Sequence, residues 1–127
     1  MEYLLDTHTF LWFIAGSSDL SLKAKSIILN PDHKKFISIA SFWEIAIKLR
    51  LEKIQLDIPF KEPKDQALRN GFQILPILFE DTLKLSSLEY HHRDPFDRII
   101  ISQALQNEFT IISKDPEFNK YTNNVTW

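Results

Sequence analysis

"KFISIASFWEIAIKLRLEK", residues 35–53, changes character without a linker. Its first six residues, "KFISIA" (35–40), carry Phe36, Ile37 and Ile39 and read as a strand. "SFWEIAIKLRLEK" (41–53) follows at once and reads as a helix. Ser41 stands at its N-cap, and Glu44, three residues on, completes the capping-box spacing. A strand that feeds directly into a helix is the repeating unit of an α/β fold.

The same alternation continues on both sides. "EYLLD" (2–6) reads as a strand, and "THTFLWFIAG" as a short helix ending at Gly16. "SLKAKSIILN" (21–30) spaces Leu22, Ala24, Ile27 and Ile28 helically, with Ser21 as N-cap and Pro31 beyond its end. Downstream, "DQALRNG" is helical and stops at Gly71, "FQILPI" (72–77) is a strand, and "EDTLKLSSL" (80–88) is a helix. "PFDRIIISQALQNE" (95–108) is a helix with Pro95 in its first turn. "FTIIS" (109–113) is a fourth strand, and the terminal "NVTW" a fifth. Strands that alternate with helices predict a parallel sheet covered on both faces. The 127 residues fit one domain, 1–127.

Composition narrows the function classes. With 44% hydrophobic residues the chain can bury a core, and with 25% charged residues it is expected to be soluble. Only 2 glycines argue against a fold built on tight turns, such as a small β-barrel. The absence of cysteine excludes disulfides, thiolate metal sites and cysteine nucleophiles. No apolar run is long enough for a membrane span, and no signal-peptide pattern precedes Asp6, so the expected location is the cytoplasm, with no membrane association. A formal charge of −2 excludes nucleic-acid binding by bulk basicity. There is no P-loop signature, no HExxH and no G-x-S-x-G.

In an open α/β sheet, ligands bind beyond the carboxyl ends of the strands. Four acids fall there. Asp6 ends the first strand, Glu44 lies early in the helix after the second, Asp97 lies in the first turn of the helix before the fourth, and Asp115 follows the fourth. Each has a plain structural reading as well. Asp6 can cap the helix at Thr7, Glu44 can pair with Lys48, Asp97 and Asp94 can stabilise a helix N-terminus, and Asp115 can cap a turn before Pro116. All four at one end of a sheet would repel one another, and a divalent cation with hard oxygen ligands is the natural neutraliser.

"LLDTHTFLW", "SIASFWEIAIKLRLEKIQL", "HHRDPFDRIIISQAL" and "IISKDPEFNKY" together resemble the PIN-domain family. Within it the likeness is to the VapC-type toxins of bacterial toxin–antitoxin pairs, and it spans nearly the whole chain. The resemblance implies a three-layer α/β/α sandwich with a central, mostly parallel sheet of about four to five strands. It also implies a Mg²⁺- or Mn²⁺-dependent endoribonuclease with Asp6, Glu44, Asp97 and Asp115 as its catalytic and metal-binding acids. Asp94 is an extra acid that can assist at the metal, and Thr7, Ser41 and Ser113 are candidates for a nearby hydroxyl. The implied partners are an RNA substrate, a cognate antitoxin protein and a second copy of the chain in a homodimer.

Setting the four acids aside leaves the chain mildly basic. Arg93, Arg98 and Lys114 are the expected phosphate contacts, whereas Lys48 reads as an ordinary helix charge. His8 is a further candidate for the site; His91 and His92 read as loop residues in contact with water. Trp12, Phe13, Phe42 and Trp43 read mainly as core, with a partner groove as the second reading. The main alternative function is a PIN-like RNA- or protein-binding module that does not cut. A phosphatase of the D-x-D type is disfavoured, because the first strand ends in "DTH".

Overall fold

The computed structural model describes residues 1–127. The chain runs β1 (Glu2–Leu5), α1 (Thr7–Ala15), α2 (Leu22–Leu29), β2 (Lys34–Ser38), α3 (Ile39–Arg50), α4 (Lys61–Arg69), β3 (Phe72–Leu75), α5 (Phe79–Ser86), α6 (Pro95–Asn107), β4 (Thr110–Ile112), a 3₁₀ turn (Pro116–Lys120) and β5 (Val125–Thr126). The five strands form one sheet in the order β3-β2-β1-β4-β5. All four pairings are parallel, with Leu4 beside Phe36 on one side and Ile111 on the other. This is the parallel sheet expected from the alternation and the α/β/α sandwich that the resemblance implies.

Alternate strand residues enter opposite cores, as the pleat requires. Tyr3, Leu5, Ile37, Phe72 and Ile112 pack with Phe10 of α1, Ala24 and Ile28 of α2, Phe42 and Ile45 of α3 and Ala67 of α4. Leu4, Phe36 and Ile111 pack on the other face against Ile99–Ile101 and Ala104 of α6 and Phe118 of the 3₁₀ turn. Phe36 and Phe109 stack there with ring centroids 4.5 Å apart. Each fully buried aliphatic side chain contributes about 1.5–3 kcal/mol relative to exposure, so two such cores hold the sheet from both sides. No helix is long and apolar enough to cross a membrane.

Local chemistry sets the helix ends. Gly16 adopts a left-handed φ of 63° as the α1 C-cap, and its N–H returns to the Phe13 and Trp12 carbonyls. Ser21 caps α2 by accepting from the Ala24 N–H at 3.0 Å. The start of α3 differs from the sequence reading. Ser38 is its N-cap, accepting from the Ala40 N–H at 3.0 Å, and Ser41 already lies inside the helix. β-Branched Ile39 extends the strand pattern on paper, but the Ser38 hydroxyl reaches the first free N–H groups sooner. No capping box with Ser41 forms, and Glu44 sits a turn deeper, buried at 2% exposure.

Candidate active site

β1 sits at the centre of the sheet. From it the chain passes outward to β2 and β3 on one side, and β4 and β5 lie on the other. The boundary between β1 and β4 is therefore the topological switch point, where crossovers diverge and open a crevice. Asp6 leaves β1 at that boundary, and Ser113 and Asp115 leave β4.

Asp6 is 5% exposed. As the N-cap of α1 it accepts from the Thr9 N–H at 2.8 Å, and its second oxygen accepts from the Ser113 hydroxyl. Thr9 in turn donates its hydroxyl to the Ile112 carbonyl at 3.0 Å. Burial pushes the Asp6 carboxyl above the usual carboxylate range, against the opposing pull of the bonds from Ser113 and Thr9 and of nearby His8. The N-cap reading thus holds, and the same side chain lines the cleft at this edge.

Asp115 caps the 3₁₀ turn by accepting from the Glu117 N–H at 2.9 Å, and its own N–H donates to Ser113 Oγ at 3.1 Å. Glu44 accepts from Lys48 Nζ through Oε2, the pairing expected one helical turn apart. Its other oxygen, Oε1, is buried without any hydrogen-bond partner. Asp94 caps α6, accepting from the Phe96 and Asp97 N–H groups at 2.9 and 3.0 Å. That cap sets Asp97 in the first helical turn, where its side chain is 16% exposed.

The other acids converge on Asp97. The Asp97 carboxyl is pushed up to about 8, first by burial and then by the negative charges of Asp94, Asp6, Glu44 and Asp115. Of the three candidate hydroxyls, Ser113 donates to Asp6, whereas Thr7 donates to Ser41 at 2.9 Å in the buried layer between α1 and α3. An open cleft of about 380 Å³ reaches this edge, lined by Asp6, His8, Trp12, Lys114, Asp115 and Pro116.

No three His, Asp or Glu side chains are set to grip one ion directly. Most of the acids are already held by a neighbour within the chain, Asp6 by Ser113, Glu44 by Lys48 and Asp115 by the Glu117 N–H. The donors are all hard oxygens, Glu44 Oε1 lacks a partner, and burial together with charged neighbours disfavours an ionised Asp97 carboxyl. Such a set fits a small hydrated divalent cation, which keeps several waters and takes few protein ligands. The fit rests on uncompensated charge and on ligand type.

The cations divide. Lys114 is exposed on the cleft wall, and Arg93, which precedes Asp94 in the chain, is exposed. Arg98, expected at phosphate, instead has internal partners: it donates to the Glu89 carbonyl at 2.9 Å and to the Tyr121 hydroxyl at 3.1 Å, and its guanidinium lies 4.8 Å from the Tyr90 ring centroid. Sequence reasoning missed His92, whose Nε2 lies 3.2 Å from Asp97 Oδ2, and Tyr121, whose hydroxyl meets His92 Nδ1 at 2.9 Å. The His92 spacing of five residues from Asp97 was the one available signal. Among the aromatics, Phe42 is core, Trp12 and Phe13 are partly buried, and Trp43 is 58% exposed against Phe96.

A family model of the PIN domain matches residues 3–124. The chain is 30% identical over 114 residues to "Ribonuclease VapC22" of Mycobacterium tuberculosis (strain ATCC 25618 / H37Rv), covering 88% of this chain and 85% of that protein. Among solved structures it is similar to VapBC2 from Rickettsia felis bound to a DNA fragment from their promoter, with a TM-score of 0.72 at 16% identity, covering 98% of this chain and 96% of that one. It is likewise similar to FitAcB from Neisseria gonorrhoeae, with a TM-score of 0.69 at 17% identity and coverage of 98% and 96%. At such identities the structural likeness speaks for the fold.

Proposed function

The chain belongs to the PIN-domain family, and from that premise we propose that it is a metal-dependent endoribonuclease, the toxin of a toxin–antitoxin pair. One observation carries the reading. Acids from separate segments gather at the switch point, where burial first and then the charges of Asp94, Asp6, Glu44 and Asp115 push the Asp97 carboxyl up to about 8. A fold does not assemble such mutual repulsion for stability, and acids with shifted ionisation in a cleft are the mark of a reactive site. The ribonuclease relative supports the choice of RNA.

Asp6, Asp97 and Asp115 would hold Mg²⁺ or Mn²⁺, with Glu44 binding or orienting water and Asp94 assisting. The bound ion would supply charge neutralisation at a phosphoryl oxygen and an acidified water. The protein's own part is positional. Ser113 and Thr9 fix the Asp6 carboxylate, and Lys48 fixes one oxygen of Glu44 while leaving the other free. Lys114, exposed on the cleft wall, and exposed Arg93 would meet the phosphate backbone of RNA.

Exposed Trp43, Phe60, Leu78 and Phe79 support protein partners, and we assign them to an antitoxin and to a homodimer in the cytoplasm. The test is cleavage of total cellular RNA by purified, antitoxin-free protein with Mg²⁺, with Mn²⁺ and with EDTA. Metal-dependent cutting sustains the proposal. No cutting, together with harmless induction in cells, would favour a non-cleaving binding module.

A further inference from the structure

Tyr121 closes the 3₁₀ turn, and its hydroxyl is crowded. The backbone N–H groups of His91 and His92 point to it at 3.1 Å each, and Arg98 Nη1 also reaches it at 3.1 Å. All three can only donate. A phenol oxygen has two lone pairs and one hydrogen, so these donors saturate it as an acceptor. Its own hydrogen needs an acceptor, and His92 Nδ1 at 2.9 Å is the one its surroundings offer. Nδ1 is then unprotonated and the ring hydrogen stands on Nε2. That nitrogen lies 3.2 Å from Asp97 Oδ2.

We propose that Tyr121 and His92 are a positioning pair for Asp97: the Tyr121 hydroxyl holds His92 as its Nε2–H tautomer, and that N–H fixes one oxygen of the Asp97 carboxyl. Asp97 Oδ1 is left for the site. The pair depends on the Arg98 guanidinium, which ties Tyr121 to the Leu88 and Glu89 carbonyls ahead of α6. An outer hydrogen bond of this kind orients a ligating or reacting carboxylate without touching substrate. The inference rests on the proposed nuclease reading for its consequence, though not for its geometry.

The test has two arms. Nitrogen-15 NMR of labelled imidazoles in the metal-free protein reads the tautomer directly, and the side-chain carboxyl carbon signal of Asp97 reads its partner. The wild type should show His92 with one unprotonated Nδ1. Tyr121→Phe should abolish that single pattern, and His92→Ala should move the Asp97 signal while the amide spectrum stays folded. A protonated Nδ1, or an Asp97 signal unmoved by His92→Ala, would overturn the pair. In the second arm, kcat for RNA with saturating metal should fall about 10- to 100-fold in His92→Ala at nearly constant KM. His92→Gln, whose amide can still donate, should recover most of it. Full kcat in His92→Ala would overturn the positioning role. A wild type that cuts no RNA would sink the nuclease reading alone, since the spectra still decide the pair.

Discussion

The Ser113 hydroxyl donates to the Asp6 carboxylate, tying the end of β4 to the end of β1 across a sequence separation of 107 residues. Asp6 accepts from the Ser113 hydroxyl through one oxygen and from the Thr9 N–H through the other. Ser113→Ala therefore leaves one oxygen of a buried carboxylate bare. We expect a loss of about 1.5–3 kcal/mol in denaturant unfolding near neutral pH, and a further rise of the Asp6 carboxyl. Unchanged stability would mean that water replaces Ser113 without cost.

The raised Asp97 carboxyl makes the metal-free protein sensitive to alkali. Its folded state binds a proton more tightly than the unfolded chain, whose carboxyl keeps the ordinary value near 3.8. Stability from this group is complete below that value and is lost as pH rises toward about 8. Melting temperature in EDTA should thus fall between roughly pH 5 and pH 8. Asp97→Asn should flatten that slope and raise stability at the upper end. A slope unaltered by Asp97→Asn would contradict the charge cluster.

A divalent cation should act in the opposite sense. Ligands that bind only the folded state stabilise it in proportion to the logarithm of their concentration. Mg²⁺ or Mn²⁺ should raise the melting temperature, and the rise should be larger at pH 8 than at pH 5, where Asp97 holds a proton. Equal shifts at both pH values would place the ion elsewhere.

Lys48 has only a helix-surface role on paper, yet it partners a glutamate that is 2% exposed. Lys48→Met should cost on the order of 2 kcal/mol because the buried Glu44 side chain loses its donor. Adding Glu44→Gln should return part of that loss, which a double-mutant cycle in urea would measure. Strict additivity would show that the two side chains do not couple.

The sheet was legible because its strands are short, apolar and separated by helices with capping residues of their own. "EYLLD", "FQILPI" and "FTIIS" lie where the sequence places them, within a residue or two. The positions of Asp6 and Asp115 were legible for the same reason, since each follows the end of a strand. What escaped depended on chain-distant partners. The start of α3 turned on which of two serines reached a free N–H first. His92 looked like a loop histidine because its hydrogen-bond partner Tyr121 lies 29 residues away. Arg98 looked free because nothing in "DRIII" reveals the carbonyls of residues 88 and 89 folded back over it.

The most direct measurement is RNA cleavage by the wild type beside Asp6→Asn, in Mg²⁺ or Mn²⁺ and in EDTA. Asparagine is as good an N-cap as aspartate, so α1 keeps its start and only the charge is lost. The account predicts cutting that requires metal and disappears in Asp6→Asn while the melting transition survives. Cleavage that persists in EDTA, or in a folded Asp6→Asn protein, would contradict it.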